Sequence, residues 1–141
     1  INGPNLNLLG EREQSQYGSI TFEKLKENCI DKSKELNIDL NFFQSNIEGE
    51  IVSIIQNARK EYDGLIINAA GFTHTSVAIR DALDLFKKPT IEVHISNIYK
   101  REEFRKKSLI SDVVSGGIFG LDDKGYILAI IAMHKEINEN R

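Results

Sequence analysis

An α/β domain, a parallel sheet covered by helices on both faces, is the fold class this sequence predicts. Three observations carry the prediction. Short apolar runs alternate with amphipathic segments along the whole chain, the pattern that aligns strands in one sheet and lays helices across it. Residues 64–68 (GLIIN) are apolar without alternation, as a strand buried on both faces must be. The chain has 141 residues, a length that suits one domain and buries about 68–70% of the unfolded surface without a disulfide or metal staple.

The elements follow in order. The chain opens at Ile1 and runs directly into a turn-like Asn2-Gly3-Pro4-Asn5, so an apolar strand is expected before Ile1, with 1–141 a single domain whose first strand is truncated. Residues 21–36 place Phe22, Leu25, Cys29 and Leu36 on one helical stripe, and Asn37 is a fitting terminator. Residues 39–44 (DLNFFQ) form an aromatic strand candidate, and 48–62 repeat the helical pattern through Ile51, Ile54, Ile55 and Ala58. After the strand at 64–68, Thr75 or Ser76 can cap a helix reaching Phe86. Pro89 closes it, and 90–95 (TIEVHI) read as a strand. A charged segment, 99–107, is expected to be a short helix, 113–119 the last strand and 125–138 the last helix. With the missing strand counted, five strands alternate with helices. At this size the matching architecture is a flavodoxin-like three-layer αβα sandwich with a five-stranded parallel sheet in the order 2-1-3-4-5.

Composition removes several classes of function. Eighteen Lys and Arg against 21 Asp and Glu give a net charge of −3, so no positive field points to nucleic acid. The longest clean apolar run, 127–133, is far short of the roughly 20 residues that span a bilayer, and no signal sequence opens the chain. The single cysteine, Cys29, permits no intramolecular disulfide and fits a reducing compartment such as the cytoplasm.

Ligands of such sheets bind outside the carboxyl ends of the strands, which says where to look. There the sequence places Asn5, Arg12 and Tyr17 in a long polar loop, Asn68 and His74 after one strand, and Glu92, His94, Ile95 and Ser96 at the end of another. Taken singly, each has a plain structural reading: His74 as a helix cap, His94 as a half-exposed strand residue, Tyr17 as packing. Together they form the convergent polar rim of a small-ligand site. Glu92, two residues before His94, shares its face of the strand and can orient it. No phosphate-binding glycine motif, no metal-ligand spacing and no rim lysine for a Schiff base is present. Acid–base chemistry without metal or cofactor remains. A non-catalytic flavodoxin-like binding module is the competing reading, because this architecture hosts many functions.

At these residues the sequence resembles the type II 3-dehydroquinate dehydratases. The resembling stretches are 3–10 (GPNLNLLG), Arg12 with Tyr17-Gly18, Gln44-Ser45-Asn46, 68–80 (NAAGFTHTSVAIR), 91–97 (IEVHISN), 101–105 (REEFR) and Gly125-Tyr126. The resemblance implies a cofactor-free lyase, without metal, converting 3-dehydroquinate to 3-dehydroshikimate in the shikimate pathway, and a homododecamer built from trimers. By the same resemblance Tyr17 is the general base, giving an enolate by anti elimination. A phenol ionises near pH 10, so its phenolate calls for a neighbouring cation such as Arg12. Asn5 would hold the water facing the enolate oxygen, and His94, oriented by Glu92, would be the general acid. Asn68, His74 and Arg105 would bind ring hydroxyls, Ile95 backbone and Ser96 the carboxylate, and Asp81 would reach a neighbouring subunit. Two departures are visible: Gln14 where that family often has Pro, and Ala70 where Gly is also found, which is expected to be harmless at ordinary backbone angles.

Overall fold

A computed structural model describes residues 1–139 of the chain. Its sheet has three parallel strands, β1 (Leu65–Ile67), β2 (Thr90–His94) and β3 (Gly116–Phe119), in the order β1-β2-β3. Leu65 pairs with Thr90 and Ile91 with Gly116. All five residues of β2 are buried, as its central place demands. Five helices accompany the sheet among the described residues: α1 (Gln14–Tyr17), α2 (Phe22–Glu35), α3 (Glu48–Glu61), α4 (Val77–Phe86) and α5 (Lys124–Glu139).

The two faces of the sheet carry separate apolar clusters. Ile91, Val93 and Ile95 point to one face and pack with Leu25 and Cys29 of α2 and Ile130 and Met133 of α5. On the other face Leu65 and Ile67 pack with Ile51 and Ile55 of α3 and Ile79 and Leu83 of α4. The expected helix–sheet–helix layering is therefore present. The caps behave as their chemistry suggests: Thr21 Oγ1 accepts from Lys24 N at 3.1 Å, and Ser76 Oγ from Ile79 N at 2.9 Å. Asn37 takes a left-handed backbone (φ 56) just beyond α2.

Four expectations change. Three strands form where five were expected. Beyond β1 the sheet continues only as single parallel bridges from Asn2 to Asn68 and from Asn2 to Gln44. Asn2 N donates to Phe43 O at 2.9 Å and Ser45 N to Asn2 O at 3.0 Å. Among the described residues, Asn2 bridges Gln44 on one side and Asn68 on the other, and residues 39–43 make no ladder. They face Gly64, Leu65 and Ile66 across an open groove of about 620 Å³.

The long loop after Asn5 is not structureless. It forms a 3₁₀ turn at Leu6–Leu8 and the single-turn α1, and buries Leu6, Leu9 and Tyr17 in the α2–α5 cluster. The charged segment 99–107 forms two 3₁₀ turns, Ile98–Lys100 and Glu103–Arg105, rather than one helix. Arg101 between them is extended (φ −109, ψ −163), which interrupts any helix. Finally, Ala70 is not in an ordinary conformation: its φ of 51 lies in the left-handed region, where a Cβ costs roughly 1–2 kcal/mol. No helix among the described residues is long and apolar enough to cross a membrane.

Candidate active site

The carboxyl ends of β1 and β2 open onto a small cleft of about 110 Å³. Every residue expected at the site lines this cleft except Glu92 and Asp81. Glu92 lies behind it, and Asp81 is exposed on α4, outside it.

Strand β2 supplies one half of the cleft. Period-two alternation sends Glu92 and His94 to the same face, and His94 Nε2 lies 2.5 Å from Glu92 Oε2 with both side chains buried. Glu92 also accepts from Ser111 Oγ at 2.5 Å and from Ser108 Oγ at 3.2 Å. Burial opposes its charge, yet the hydrogen bonds from His94, Ser111 and Ser108 outweigh it and hold the carboxyl below the usual range. An ionised carboxylate only accepts, so Nε2 of His94 carries a proton and Nδ1 is the ring nitrogen left over. His74 stacks against His94 with ring centroids 6.4 Å apart. Its Nδ1 lies 2.8 Å from Lys107 O, and burial is the main cause lowering its pKa, which leaves the ring neutral at pH 7. His74 is thus a ring tied to the 107–112 segment, rather than a helix cap.

The loop and α1 supply the other half. Tyr17 is buried, with the Arg12 guanidinium 3.7 Å from its ring centroid. Arg12 therefore covers the ring face. The hydrogen bond to the phenol oxygen comes from Arg101 Nη1, at 2.8 Å. The same Nη1 lies 3.3 Å from Ser96 Oγ, while the buried Nε of Arg101 has no hydrogen-bond partner. That Nε lies 3.7 Å from Glu102 Oε1, so the guanidinium is ion-paired on one side while its Nη1 faces Tyr17 and Ser96 on the other.

Two asparagines frame the floor. Asn5 is left-handed (φ 69), an arrangement that asparagine tolerates, and its backbone N–H donates to Asn46 Oδ1 at 3.0 Å. Asn68 is buried, and its side chain is engaged: Nδ2 donates to Tyr126 Oη at 2.9 Å and Oδ1 accepts from Ala70 N at 3.1 Å. Tyr126 in turn donates to Asn2 Oδ1 at 2.7 Å. Burial raises the Tyr126 pKa, so it remains a neutral hydroxyl. Arg105 reaches the cleft with Nε donating to Glu102 Oε2 at 3.0 Å.

Sequence reasoning missed three participants. Arg101 reads as one more charge in a charged run, and nothing in its spacing marks it as the side chain turned inward. Ser108 and Ser111 lie in a polar stretch far along the chain from Glu92, and only folding brings them to it.

Comparison with known proteins identifies the family. Residues 1–134 match the family model described as dehydroquinase class II. A protein named 3-dehydroquinate dehydratase from Campylobacter jejuni is 55% identical over 133 residues, covering 94% of this chain and 84% of that protein. A protein of the same name from Clostridium perfringens is 52% identical over 138 residues, covering 97% and 94%. The crystal structure of a type II dehydroquinase from Butyrivibrio crossotus superimposes with a TM-score of 0.92 at 47% identity, covering 96% of this chain and 94% of that one.

Proposed function

The chain belongs to the class II dehydroquinase family, and on that premise we propose that it is a 3-dehydroquinate dehydratase, a lyase of the shikimate pathway. The observation that carries the reading is one cleft with two unlike halves. Tyr17 stands there between two guanidiniums, and His94 is backed by a buried carboxylate.

The proposed chemistry is anti elimination of water from 3-dehydroquinate to give 3-dehydroshikimate. The Tyr17 phenolate removes the proton next to the ketone. Arg101 at its oxygen and Arg12 over its ring favour negative charge there. The electron pair forms an enolate, whose oxygen faces a water held by Asn5. Collapse of the enolate expels the hydroxyl group, which takes a proton from His94 and leaves as water. Tyr17 ends protonated and His94 deprotonated, so one proton must pass from the first to the second, through solvent, before the next turnover. Only acid–base groups are called on.

Substrate contacts complete the proposal. Ile95 backbone and Ser96 Oγ take the substrate carboxylate, with Arg101 Nη1 3.3 Å from Ser96 Oγ. His74 and Arg105 bind ring hydroxyls. Asn68 contributes what its bonds to Tyr126 and Ala70 leave free. Exposed Asp81 would serve a neighbouring subunit in a cytoplasmic homododecamer.

Following enone absorbance on addition of 3-dehydroquinate tests this directly. Turnover resistant to borohydride, abolished by Tyr17→Phe, is the expected result. Binding without turnover would favour a non-catalytic module, and trapping on a lysine would refute the mechanism.

A further inference from the structure

Glu92 is the one buried carboxylate among the described residues, and the groups that match its charge come from a distant strap, residues 107–112. Ser111 Oγ donates to Oε1 at 2.5 Å and Ser108 Oγ to Oε2 at 3.2 Å. The strap is anchored without help from Glu92. Leu109 N donates to Thr73 O at 2.8 Å, Arg80 donates to Leu109 O at 2.7 Å and pairs with both oxygens of Asp112, and Ile110 is fully buried. Within it, Ser108 Oγ already accepts from Ile110 N at 3.1 Å and Ser111 N at 3.0 Å. Its oxygen being occupied as an acceptor, its hydroxyl proton is left for Glu92.

We infer that Ser108 and Ser111 are positioning residues of the acid half: by donating to Glu92 they keep the proton shared with His94 on the imidazole ring. The consequence is chemical. With the proton on Nε2 and the carboxylate only accepting, protonated His94 presents Nδ1–H of an imidazolium, an effective acid. With the proton moved to Glu92, the same Nδ1–H belongs to a neutral imidazole and is a very weak acid. The charged and titratable groups around Glu92 are few. His94 lies on its own strand and His74 comes from the turn after β1, with Arg105 acting on His74. From β3 comes the backbone of Gly117, and from the strap the two hydroxyls. Among the described residues, the side chains that hydrogen-bond Glu92 are His94, Ser108 and Ser111, so the serines are its main support besides the imidazole.

The effect on turnover rests on the dehydratase reading; the effect on the proton does not. The test therefore reads both, in the full chain labelled at glutamate carboxyl and histidine ring positions. Glu92→Gln assigns the Glu92 carboxyl resonance by removing it. In the Ser108→Ala/Ser111→Ala double variant the Glu92 titration midpoint should rise by about one pH unit, tenfold in proton affinity. The acid limb of the kcat profile should move up with it by about one pH unit, kcat falling up to about tenfold on that limb while the plateau near pH 7 and KM change little. Ser111→Thr, which keeps a hydroxyl, should return the Ser111 share of both. An unmoved carboxyl midpoint in the double variant overturns the inference, even if kcat falls, because the serines would then be structural alone. A raised midpoint in a protein that never turns over 3-dehydroquinate upholds it, and sinks the dehydratase reading instead.

Discussion

Tyr17 and His94 face one cleft from opposite kinds of backbone. His94 ends a strand whose five residues are all buried, with its ring fixed from behind by Glu92. Tyr17 ends a single-turn helix in the segment between Asn5 and Thr21, with no strand under it. Its place is set by side chains: burial with Leu6 and Leu9, Arg12 across its ring and Arg101 at its oxygen. The proposed acid is thus part of the scaffold, and the proposed base is delivered to it. A proton donor whose acidity depends on a buried partner gains from a rigid strand, which keeps that partner at hydrogen-bond distance. A base that must meet substrate after entry gains from a segment able to open.

The largest effects should come from the two reacting groups themselves. Tyr17→Phe and His94→Ala should each cost roughly 10²- to 10⁴-fold in kcat, read by enone absorbance. If the halves differ as described, Tyr17→Phe should leave thermal stability nearly unchanged, whereas His94→Ala should lower it by stranding Glu92. Equal stability losses would break the comparison.

Arg101→Ala comes next. Losing a charged hydrogen bond, worth about 1.5–3 kcal/mol, predicts a ten- to hundredfold fall in kcat. Arg12→Ala should then weaken turnover through the ring face alone, and the smaller loss should belong to Arg12. A larger loss at Arg12 would reverse the roles assigned to the two guanidiniums.

Acidity probes the scaffold half. Glu92 has a folded pKa below its ordinary value, so its stabilisation is present above the ordinary carboxylate range near about pH 4.3 and is lost as pH falls through the folded value. His74, lowered by burial, adds to the same acid loss, because a neutral ring must take up a proton in a site that disfavours the charge. Melting temperature should therefore fall on acidification, and Glu92→Gln should flatten that fall. An unchanged slope would mean that Glu92 is not ionised in the folded protein.

Two substitutions should produce the smallest effects. Ala70→Gly should gain about 0.5 kcal/mol, relief of the left-handed strain exceeding the added flexibility of the unfolded chain. Gln14→Pro places proline at the first position of α1, where its fixed φ suits the helix. It should stabilise by about 0.4–1 kcal/mol and slow proteolysis of residues 10–19, while leaving the His94 half unaffected.

The helices with a clear apolar stripe were legible nearly to the residue. The expected 21–36 became Phe22–Glu35 and 48–62 became Glu48–Glu61, because their signal is carried by neighbours three and four apart. The segment 39–44 has a strand's composition, and among the described residues it pairs at Gln44, with Asn2. Ala70 looked harmless because side-chain identity says nothing about φ.

For the site, residue chemistry together with the strand-end rule located the rim and paired Glu92 with His94, two residues apart on one strand. The sequence by itself determined which polar groups stand at the strand ends, since that follows from local periodicity and residue type. Only the tertiary structure decided which guanidinium reaches Tyr17 Oη and which hydroxyls steady Glu92. Arg101 lies 84 residues from Tyr17 and Ser111 lies 19 from Glu92. Contacts at such separations depend on how the strands and loops close around the cleft, and no spacing along the chain encodes them.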